Sequence, residues 1–138
     1  MKIDGGCYCG KIKFEAEVNP ADVRICHCID CQIMSGAPYR ANVPAAKENI
    51  RFTGEAKLFL KTAESGNKRY QAFCPECGTS MYSCAEKDPP VYTLRVGTIR
   101  QRAQLPPKSQ QWCRSAVQWS ADLGTVAERY ELQRPGIR

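Results

Sequence analysis

Seven of the nine cysteines fall into three tight clusters, and this spacing constrains the fold more than any other feature of the chain. The clusters are Cys7-Tyr8-Cys9, Cys26-His27-Cys28-Ile29-Asp30-Cys31 and Cys74-Pro75-Glu76-Cys77. Two pairs that are distant in sequence can supply the four thiolates of a closed tetrahedral zinc site. The three cysteines that remain would leave a fourth zinc position open for water or substrate, as in catalytic sites. We therefore expect two zinc ions per chain.

The first and third clusters are expected to share one structural ion. Residues i and i+2 of an extended chain point the same way, so Cys7 and Cys9 can both reach one metal. Cys74 and Cys77 form a knuckle in which Gly78 can take the positive φ that such a turn often needs. A thioredoxin-like redox pair is the alternative, but the βαβ context and the helix start after Cys74 are both missing. Structural zinc is therefore favoured.

The middle cluster is compatible with either an open or a closed metal site. A closed site would need a fourth ligand, for which the candidates are His27, Cys84 and Cys113. His27 lies between two ligands, so its side chain is expected to point away from the shared metal. Free cysteines on separate segments are more often small buried hydrophobic residues. The spacing alone does not choose between the two kinds of site.

An open three-thiolate site would have a definite chemistry. Its zinc complex carries a net charge of −1, which makes it a weaker Lewis acid than a three-histidine zinc and suits it to binding a substrate thiolate. Beside it, His27 is either a polar structural residue, as is typical of a lone histidine, or a proton relay near neutral pH. Asp30 either caps the short helical turn after the cluster or orients a metal ligand.

The length and composition indicate one domain over residues 1–138, with the motifs between about residues 5 and 119 and a tail over 120–138. No stretch approaches the roughly 20 apolar residues of a membrane helix, and nothing resembles a signal peptide. We therefore expect a cytoplasmic protein without a membrane partner. Thiols stay reduced in that compartment, which disfavours a disulfide framework.

The formal net charge of +6 is weak evidence for a nucleic-acid partner. Two zinc ions add four positive charges and seven thiolates remove seven, which leaves +3 for the metal-loaded protein. The lysines and arginines are scattered, without a run of five or more, and the lack of a basic stripe disfavours nucleic acid. A mildly positive surface fits a small anionic substrate equally well.

Alternating polarity predicts a mainly β protein with little helix. Residues 11–18 alternate between apolar and charged side chains, which is typical of a half-buried strand. Further short strands are predicted at residues 23–26, 39–43, 50–53, 56–61, 70–73, 80–83 and 91–96. One helical turn at 28–34, a hairpin turn at 53–55 and a loop at 101–109 complete the prediction. Trp112, Trp119 and residues 130–132 are expected to pack back on the sheet.

Taken together and in this order, the motifs resemble the glutathione-dependent formaldehyde-activating enzyme (Gfa) family, also called the centromere protein V domain. The matching segments, between about Gly5 and about Trp119, are Gly6-Cys7-Tyr8-Cys9-Gly10, Cys26-His27-Cys28-Ile29-Asp30-Cys31 with Ser35-Gly36, Phe73-Cys74-Pro75-Glu76-Cys77-Gly78-Thr79, Tyr82-Ser83 and Arg95-Val96-Gly97-Thr98-Ile99. The resemblance implies a β-tent of short antiparallel sheets organised around zinc. It also implies a structural zinc on Cys7, Cys9, Cys74 and Cys77, and a catalytic zinc on Cys26, Cys28 and Cys31.

The resemblance further implies a carbon–sulfur lyase. In the founding activity glutathione and formaldehyde condense to S-hydroxymethylglutathione, and the reverse reaction breaks a carbon–sulfur bond. The hypothesis is a small thiol substrate, such as glutathione, whose carboxylates pair with arginines such as Arg40, Arg95 and Arg100. For any one of these arginines taken alone, however, the favoured interpretation is a solvated surface residue. The alternatives to an enzyme are a non-catalytic zinc-binding module and a thiol redox or zinc sensor.

Two positions depart from the family pattern. Many members carry an acidic residue where this chain has Arg100, and members usually carry a His-Ile pair where it has Gln110 and Gln111. The zinc ligands are untouched by these departures. If the departing positions shape the pocket, the substrate differs from S-hydroxymethylglutathione.

Overall fold

The computed structural model describes residues 1–63, 65–134 and 136, and over these residues its framework is β-sheet with a single α-helix. The strands are β1 (Lys2–Gly6), β2 (Lys13–Glu17), β3 (Arg24–Cys26), β4 (Arg40–Ala46), β5 (Ile50–Thr53), β6 (Lys57–Thr62), β7 (Lys68–Phe73), β8 (Ser80–Ala85), β9 (Val91–Arg95) and β10 (Ser109–Gln111). The helix α1 is Ile29–Ser35. Short 3-10 turns are Pro20–Asp22, Lys47–Asn49, Val96–Thr98, Arg102–Gln104, Cys113–Ser115, Gln118–Ala121 and Leu123–Thr125. The prediction of a mainly β protein is confirmed.

The strands form two sheets. The smaller has three antiparallel strands in the order β1-β2-β5. The larger has seven strands in the order β10-β3-β4-β9-β8-β7-β6, and its neighbours are antiparallel except for the parallel pair of β10 and β3. This order places β3, which leads into the middle cysteine cluster, near one edge, and β7, which leads into the third cluster, near the other.

The hydrophobic core lies where the two sheets face each other. On β2, Phe14 and Ala16 are buried, while the charged residues that alternate with them, Lys13, Glu15 and Glu17, are exposed, as the alternation predicts. Phe52 of the small sheet packs on Tyr82 and Tyr92 of the large sheet, with ring centroids 4.7 and 5.5 Å apart. Removal of such apolar surface from water is the dominant favourable contribution to folding.

The opposite face of the large sheet is polar but is also buried. Residues that lie opposite each other in neighbouring strands point to the same face of a sheet. Register pairs of this kind join Cys26 to Arg40, Asn42 to Arg95, Thr93 to Ser83, and Ser83 to Gln71. All of these side chains are buried. The sheet therefore presents a continuous polar wall beside the middle cysteine cluster.

The predicted hairpin turn at residues 53–55 is wrong, although both flanking strands exist. β5 pairs with β2 in the small sheet, whereas β6 pairs with β7 in the large one, so the chain passes between sheets at this turn. Gly54 has a φ of 85°, and a Cβ built on it would lie 2.2 Å from the carbonyl oxygen of Lys11. The glycine thus allows a close approach of two backbone segments, not a hairpin.

The C-terminal segment also differs from the prediction. Trp119 is 64% exposed and Leu132 is 87% exposed, and Trp112 and Tyr130 are exposed as well, so these side chains do not pack on the sheet. The assignment of 1–138 to one domain stays a prediction, and residues 135, 137 and 138 lie outside the described part of the chain. Among the described residues, none of the helical segments has the length and apolar character needed to cross a membrane.

Candidate metal centres and the adjoining cavity

The structure brings Cys7, Cys9, Cys74 and Cys77 together, with all four sulfur atoms within 4.8 Å of one another. The Sγ atoms of Cys7 and Cys9 are 3.5 Å apart, and those of Cys9 and Cys74 are 3.7 Å apart. Zinc–sulfur bonds of about 2.3 Å in a tetrahedron place sulfur atoms about 3.8 Å from one another. All four cysteines are free thiols. The donor set therefore fits a closed tetrahedral zinc site.

Local backbone structure positions this four-cysteine cluster. The Ile12 amide donates to Cys7 Sγ at 3.2 Å, and the Gly78 amide donates to the Cys74 carbonyl oxygen at 2.9 Å. Gly78 has a φ of 72°, which confirms the positive φ predicted for the knuckle. The Thr79 hydroxyl, followed by its backbone amide, lowers the pKa of Cys77 to about 5, which favours the thiolate that a metal needs.

The second cluster gathers Cys26, Cys28 and Cys31 within the same 4.8 Å limit. Cys26 ends β3, Cys28 is the N-cap of α1, and Cys31 lies in its first turn. The sulfur atoms of Cys26 and Cys28 are 3.4 Å apart, and the Cys31 amide donates to Cys28 Sγ at 3.4 Å. The predicted helical turn is confirmed, and it ends at Gly36, whose φ is 63°. Three sulfur donors fit a tetrahedral zinc ion whose fourth coordination position is open.

Asp30 does not cap the helix, so that alternative is wrong. The capping acceptor is Cys28 Sγ. The Asp30 carboxylate instead forms an ion pair with Lys61 of β6, whose side chain crosses from the far edge of the large sheet. This ion pair connects α1 to β6, and both residues line the cavity described below.

The candidate fourth ligands do not join the three-cysteine cluster. His27 points away, as expected, since its Nε2 lies 2.7 Å from Gln110 Oε1 and its ring packs edge-on against Tyr39. Cys84 is buried within β8, and Cys113 is exposed. Among the described residues, only three of the candidate donors lie together here. The geometry therefore favours the open site over the closed one.

The three-cysteine cluster holds one thiol well below its ordinary pKa. The hydrogen bond from Cys31 is the largest contribution that lowers the pKa of Cys26 to about 5, and the same interaction raises the pKa of Cys31. In the metal-free protein the cluster is thus expected to carry a thiolate at Cys26 near neutral pH. A preformed anion of this kind attracts a divalent cation.

A cavity of about 460 Å³ opens directly beside Cys26 and Cys31. Its charged lining consists of Arg24, Arg40, Lys61, Arg69, Arg95 and Asp30. Neutral polar groups of the buried wall, among them Asn42, Gln71, Ser83 and Thr93, complete it. A volume of this size lies within the usual range for a small-molecule site. The excess of cationic side chains suits an anionic ligand.

The expectation that each arginine is solvated surface is wrong for two of the three residues. Arg40 is 6% exposed and Arg95 is 7% exposed, and both line the cavity. It holds for Arg100, whose side chain is 79% exposed and forms an ion pair with Asp4 at 3.0 Å. Arg100 does not line the cavity beside the three-cysteine cluster. That departure from the family pattern therefore leaves this cavity unchanged.

The second departure lies at the cluster itself, on a strand that the sequence did not predict. Gln110 and Gln111 belong to β10, which pairs with β3. Gln110 Oε1 meets His27 Nε2, while the Gln111 carbonyl accepts the His27 amide at 3.0 Å and its side chain bonds to Cys26. Both residues thus fix the segment that carries Cys26, a candidate metal ligand. In the sequence, the only feature that pointed to a role for Gln110 and Gln111 was their difference from the His-Ile pair of the family pattern.

Comparison with known proteins agrees with this geometry. The family model of the "Glutathione-dependent formaldehyde-activating enzyme" matches residues 2–115, which include all seven clustered cysteines. This chain belongs to that family. Membership of the Gfa family is consistent with the four-cysteine and three-cysteine clusters and with the antiparallel sheets.

One curated relative and one solved structure extend the comparison. The relative is the "Uncharacterized lyase C29B12.13" of Schizosaccharomyces pombe (strain 972 / ATCC 24843), which is 29% identical over 79 residues that cover 57% of this chain. The chain spans about half of that protein, because the match covers 55% of its length. A Rhodobacter sphaeroides protein solved by a structural-genomics consortium aligns with a TM-score of 0.60, 22% identity, and coverage of 78% of this chain and 99% of its own. That structure supports the fold.

Proposed function

We propose that the protein is a zinc-dependent carbon–sulfur lyase that acts on a thiol–aldehyde adduct, such as S-hydroxymethylglutathione or the adduct of a related small thiol. The observation that carries the proposal is the three-cysteine cluster at the wall of a ligand-sized cavity. Membership of the Gfa family and the lyase name of the yeast relative support it. A reducing cytoplasm, which keeps the thiols available for metal, is part of the proposal.

The two clusters have separate roles in this proposal. Cys7, Cys9, Cys74 and Cys77 hold a structural zinc, and Cys26, Cys28 and Cys31 hold the catalytic one. When bound, the catalytic zinc supplies a Lewis acid that lowers the pKa of a substrate thiol and stabilises it as a thiolate. β10 keeps Cys26 in place through the neighbouring His27. The His27 amide donates to the Gln111 carbonyl, and the His27 ring bonds to the Gln110 side chain.

Cleavage of the adduct also needs a base. As the carbon–sulfur bond breaks, the adduct hydroxyl loses its proton, its oxygen becomes the aldehyde carbonyl, and the bonding electron pair leaves with sulfur. Asp30 is the only carboxylate among the described residues that line the cavity. We assign it as the proton acceptor, held by its ion pair with Lys61. Condensation of thiol and aldehyde uses the same groups in reverse.

The test is the rate at which zinc-loaded protein interconverts S-hydroxymethylglutathione with glutathione and formaldehyde, followed by exchange NMR. The expected result is a rate above the uncatalysed exchange that is lost in Cys31→Ala. The control is Cys113→Ala, which removes a cysteine outside both clusters. An unaccelerated rate, with both zinc ions bound, would overturn the lyase for this substrate and favour a non-catalytic zinc module. Zinc release by mild oxidant without turnover would instead indicate a sensor.

A further inference from the structure

A second cavity, of about 430 Å³, adjoins the one beside Cys26 and Cys31. Asp30 and Lys61 line both cavities, so their ion pair lies at the border between them. The three-cysteine cluster also borders both, because Cys28 lines the second cavity. A molecule held at the cluster therefore has two neighbouring spaces into which its substituents can extend.

The second cavity has an apolar wall that includes Trp112 and Ile29. Both side chains are partly open, with 43% of Trp112 and 55% of Ile29 exposed. The Arg114 guanidinium lies over the indole, with its Cζ 4.9 Å from the ring centroid, and this cation–π contact helps to hold the ring. An indole offers a large flat surface on which other aromatic groups stack. The wall therefore suits a planar aromatic group.

The backbone holds Trp112 in an unusual conformation at this wall. Its φ is 59° and its ψ is 37°, in the left-handed region that bulky residues rarely adopt. β10 fixes the chain immediately before Trp112. Gln32 of α1 fixes it shortly after, since Gln32 Nε2 donates to the carbonyl oxygens of Ser115 and His27 at 2.8 and 2.7 Å. Strain that the surrounding structure enforces in this way is typical of ligand-binding positions.

The position of Asp30 relates the second cavity to the reaction. In a thiol–aldehyde adduct, one carbon carries the hydroxyl, the sulfur and the substituent of the aldehyde. With the sulfur at the three-cysteine cluster and the hydroxyl at Asp30, this carbon lies where the two cavities meet. The rest of the thiol then occupies the first cavity and the aldehyde substituent the second. An adduct of formaldehyde, which has only hydrogen at this place, would leave the second cavity empty.

We propose that the second cavity binds the substituent of the aldehyde, so that the substrate is the thiol adduct of an aromatic aldehyde. The inference rests on the proposed function, which places sulfur at the cluster and the proton acceptor at Asp30. Cleavage breaks the carbon–sulfur bond, whose electron pair leaves with sulfur. The hydroxyl proton passes to the Asp30 carboxylate, and the O–H electron pair forms the carbonyl. Trp112 determines which aldehyde is accepted.

The test compares two stable thioethers that resemble the adducts but lack the reacting hydroxyl. 2-(Benzylthio)ethanol carries the substituent of benzaldehyde, whereas 2-(methylthio)ethanol carries only the carbon of formaldehyde. Binding of each to zinc-loaded protein is measured by calorimetry. We expect the benzyl compound to bind about tenfold more tightly, as one aromatic contact and the apolar area that it buries would give. Equal binding of the two compounds by the parent protein would overturn the proposal.

Variants of Trp112 assign the preference to the second cavity. Trp112→Phe keeps an aromatic ring and should keep most of the preference. Trp112→Asn has no ring and should abolish it, while binding of 2-(methylthio)ethanol stays that of the parent. Asparagine tolerates the left-handed backbone conformation, so this variant is expected to fold. The matched control is Trp119→Asn, which removes an exposed tryptophan that lines neither cavity. A preference unchanged in Trp112→Asn would contradict the site.

The indole itself gives a second readout. Trp119→Asn leaves Trp112 as the only tryptophan of the chain, so the remaining emission reports on the second cavity. Because Trp112 is partly exposed, a benzyl group stacked on it should shift this emission to shorter wavelength. An unshifted emission at saturating 2-(benzylthio)ethanol would count against the site.

The outcomes separate this inference from the lyase proposal. A benzyl preference that depends on Trp112, found in a protein that cleaves no adduct, would support the aromatic site and reject the lyase. For adducts of 2-mercaptoethanol, faster cleavage with formaldehyde than with benzaldehyde, unaffected by Trp112→Asn, would support the lyase and reject the aromatic site. Preferential cleavage of the formaldehyde adduct of phenylmethanethiol would place the aromatic group on the thiol and would also overturn the proposal.

Discussion

Cys26 on β3 lies directly opposite Arg40 on β4, and the two side chains therefore point to the same face of the large sheet. A candidate sulfur ligand for a metal and a buried guanidinium are thus held by neighbouring strands of one sheet. Substrate positioning on a sheet of this kind is less variable than on loops. The relationship between these two residues links the metal centre to the cavity.

Zinc content separates the two centres. We expect two zinc ions in the parent protein and one in Cys31→Ala, which should remain folded because its four-cysteine cluster is intact. Cys74→Ala, which removes a buried candidate ligand next to β7, should lose the proposed structural zinc and unfold at a much lower temperature. The measurements are metal analysis and thermal denaturation. Cys113→Ala should retain two ions, and one ion in the parent would contradict the assignment.

Asp30 is predicted to affect turnover and not metal binding. Asp30→Asn should slow adduct cleavage by roughly a hundredfold or more, since general-base catalysis typically contributes at least that factor. Zinc content should remain that of the parent. The matched control is Asp88→Asn, which breaks another surface ion pair, the one with Lys47, outside the cavity. A parent-like rate in Asp30→Asn would show that another group accepts the proton.

The lowered pKa of Cys26 predicts a pH dependence in the metal-free protein. The thiolate absorbance that is lost on Cys26→Ser should titrate at about pH 5 in the parent. Cys31→Ala should move this titration upward, because the Cys31 hydrogen bond is the main lowering contribution. The difference between parent and Cys26→Ser isolates Cys26 from Cys77, whose pKa is also about 5. A titration near pH 9 would contradict the prediction.

The lowered pKa of Cys26 also determines whether the stability of the metal-free protein rises or falls with pH. The folded pKa of Cys26 lies below its ordinary value of 9.0, so its ionisation stabilises the metal-free fold fully above about pH 9. This contribution declines as the pH falls and is lost once the pH has passed below about 5. Cys26→Ser should therefore show a flatter dependence of melting temperature on pH between these limits, and an identical dependence would contradict the linkage.

Gly78 is predicted to be required for its backbone conformation alone. Its φ is 72° and a Cβ would meet nothing within 4 Å, so Gly78→Ala should cost about 1–2 kcal/mol of unfolding free energy without a steric clash. Gly97→Ala is the matched control, since it has equal space and no positive φ. Urea denaturation of the zinc-loaded variants gives both values. Equal effects of the two substitutions would contradict the argument.

Much of the fold could be predicted because it depends on local pattern. The alternation around Phe14 predicted β2, and Gly36 ended the helix that begins after Cys28. The pairing of β5 and β6 could not be predicted, because a turn residue such as Gly54 does not reveal which sheet each strand joins. Strand pairing is a tertiary property that only the packed core decides.

The site was predictable only at its metal end. The cysteine spacing predicted both groups of candidate metal ligands, because few other patterns place so many sulfur atoms together. Arg40 and Arg95 were named as candidate substrate contacts, but their burial was not predicted, because arginines are mostly exposed. That burial depends on two acceptors from different strands, Asn42 of β4 and Gln71 of β7. β10 was missed because Ser109, Gln110 and Gln111 are polar and carry no alternation.

The four-cysteine cluster joins positions 65 residues apart, whereas the three-cysteine cluster lies within six consecutive residues. A crosslink removes more freedom from the unfolded chain when it closes a longer loop. Loss of metal from Cys9 and Cys74 would therefore restore more of that freedom than loss of metal from Cys26 and Cys31. Release of an ion from the four-cysteine cluster would therefore be coupled more strongly to unfolding than release of an ion from the three-cysteine cluster.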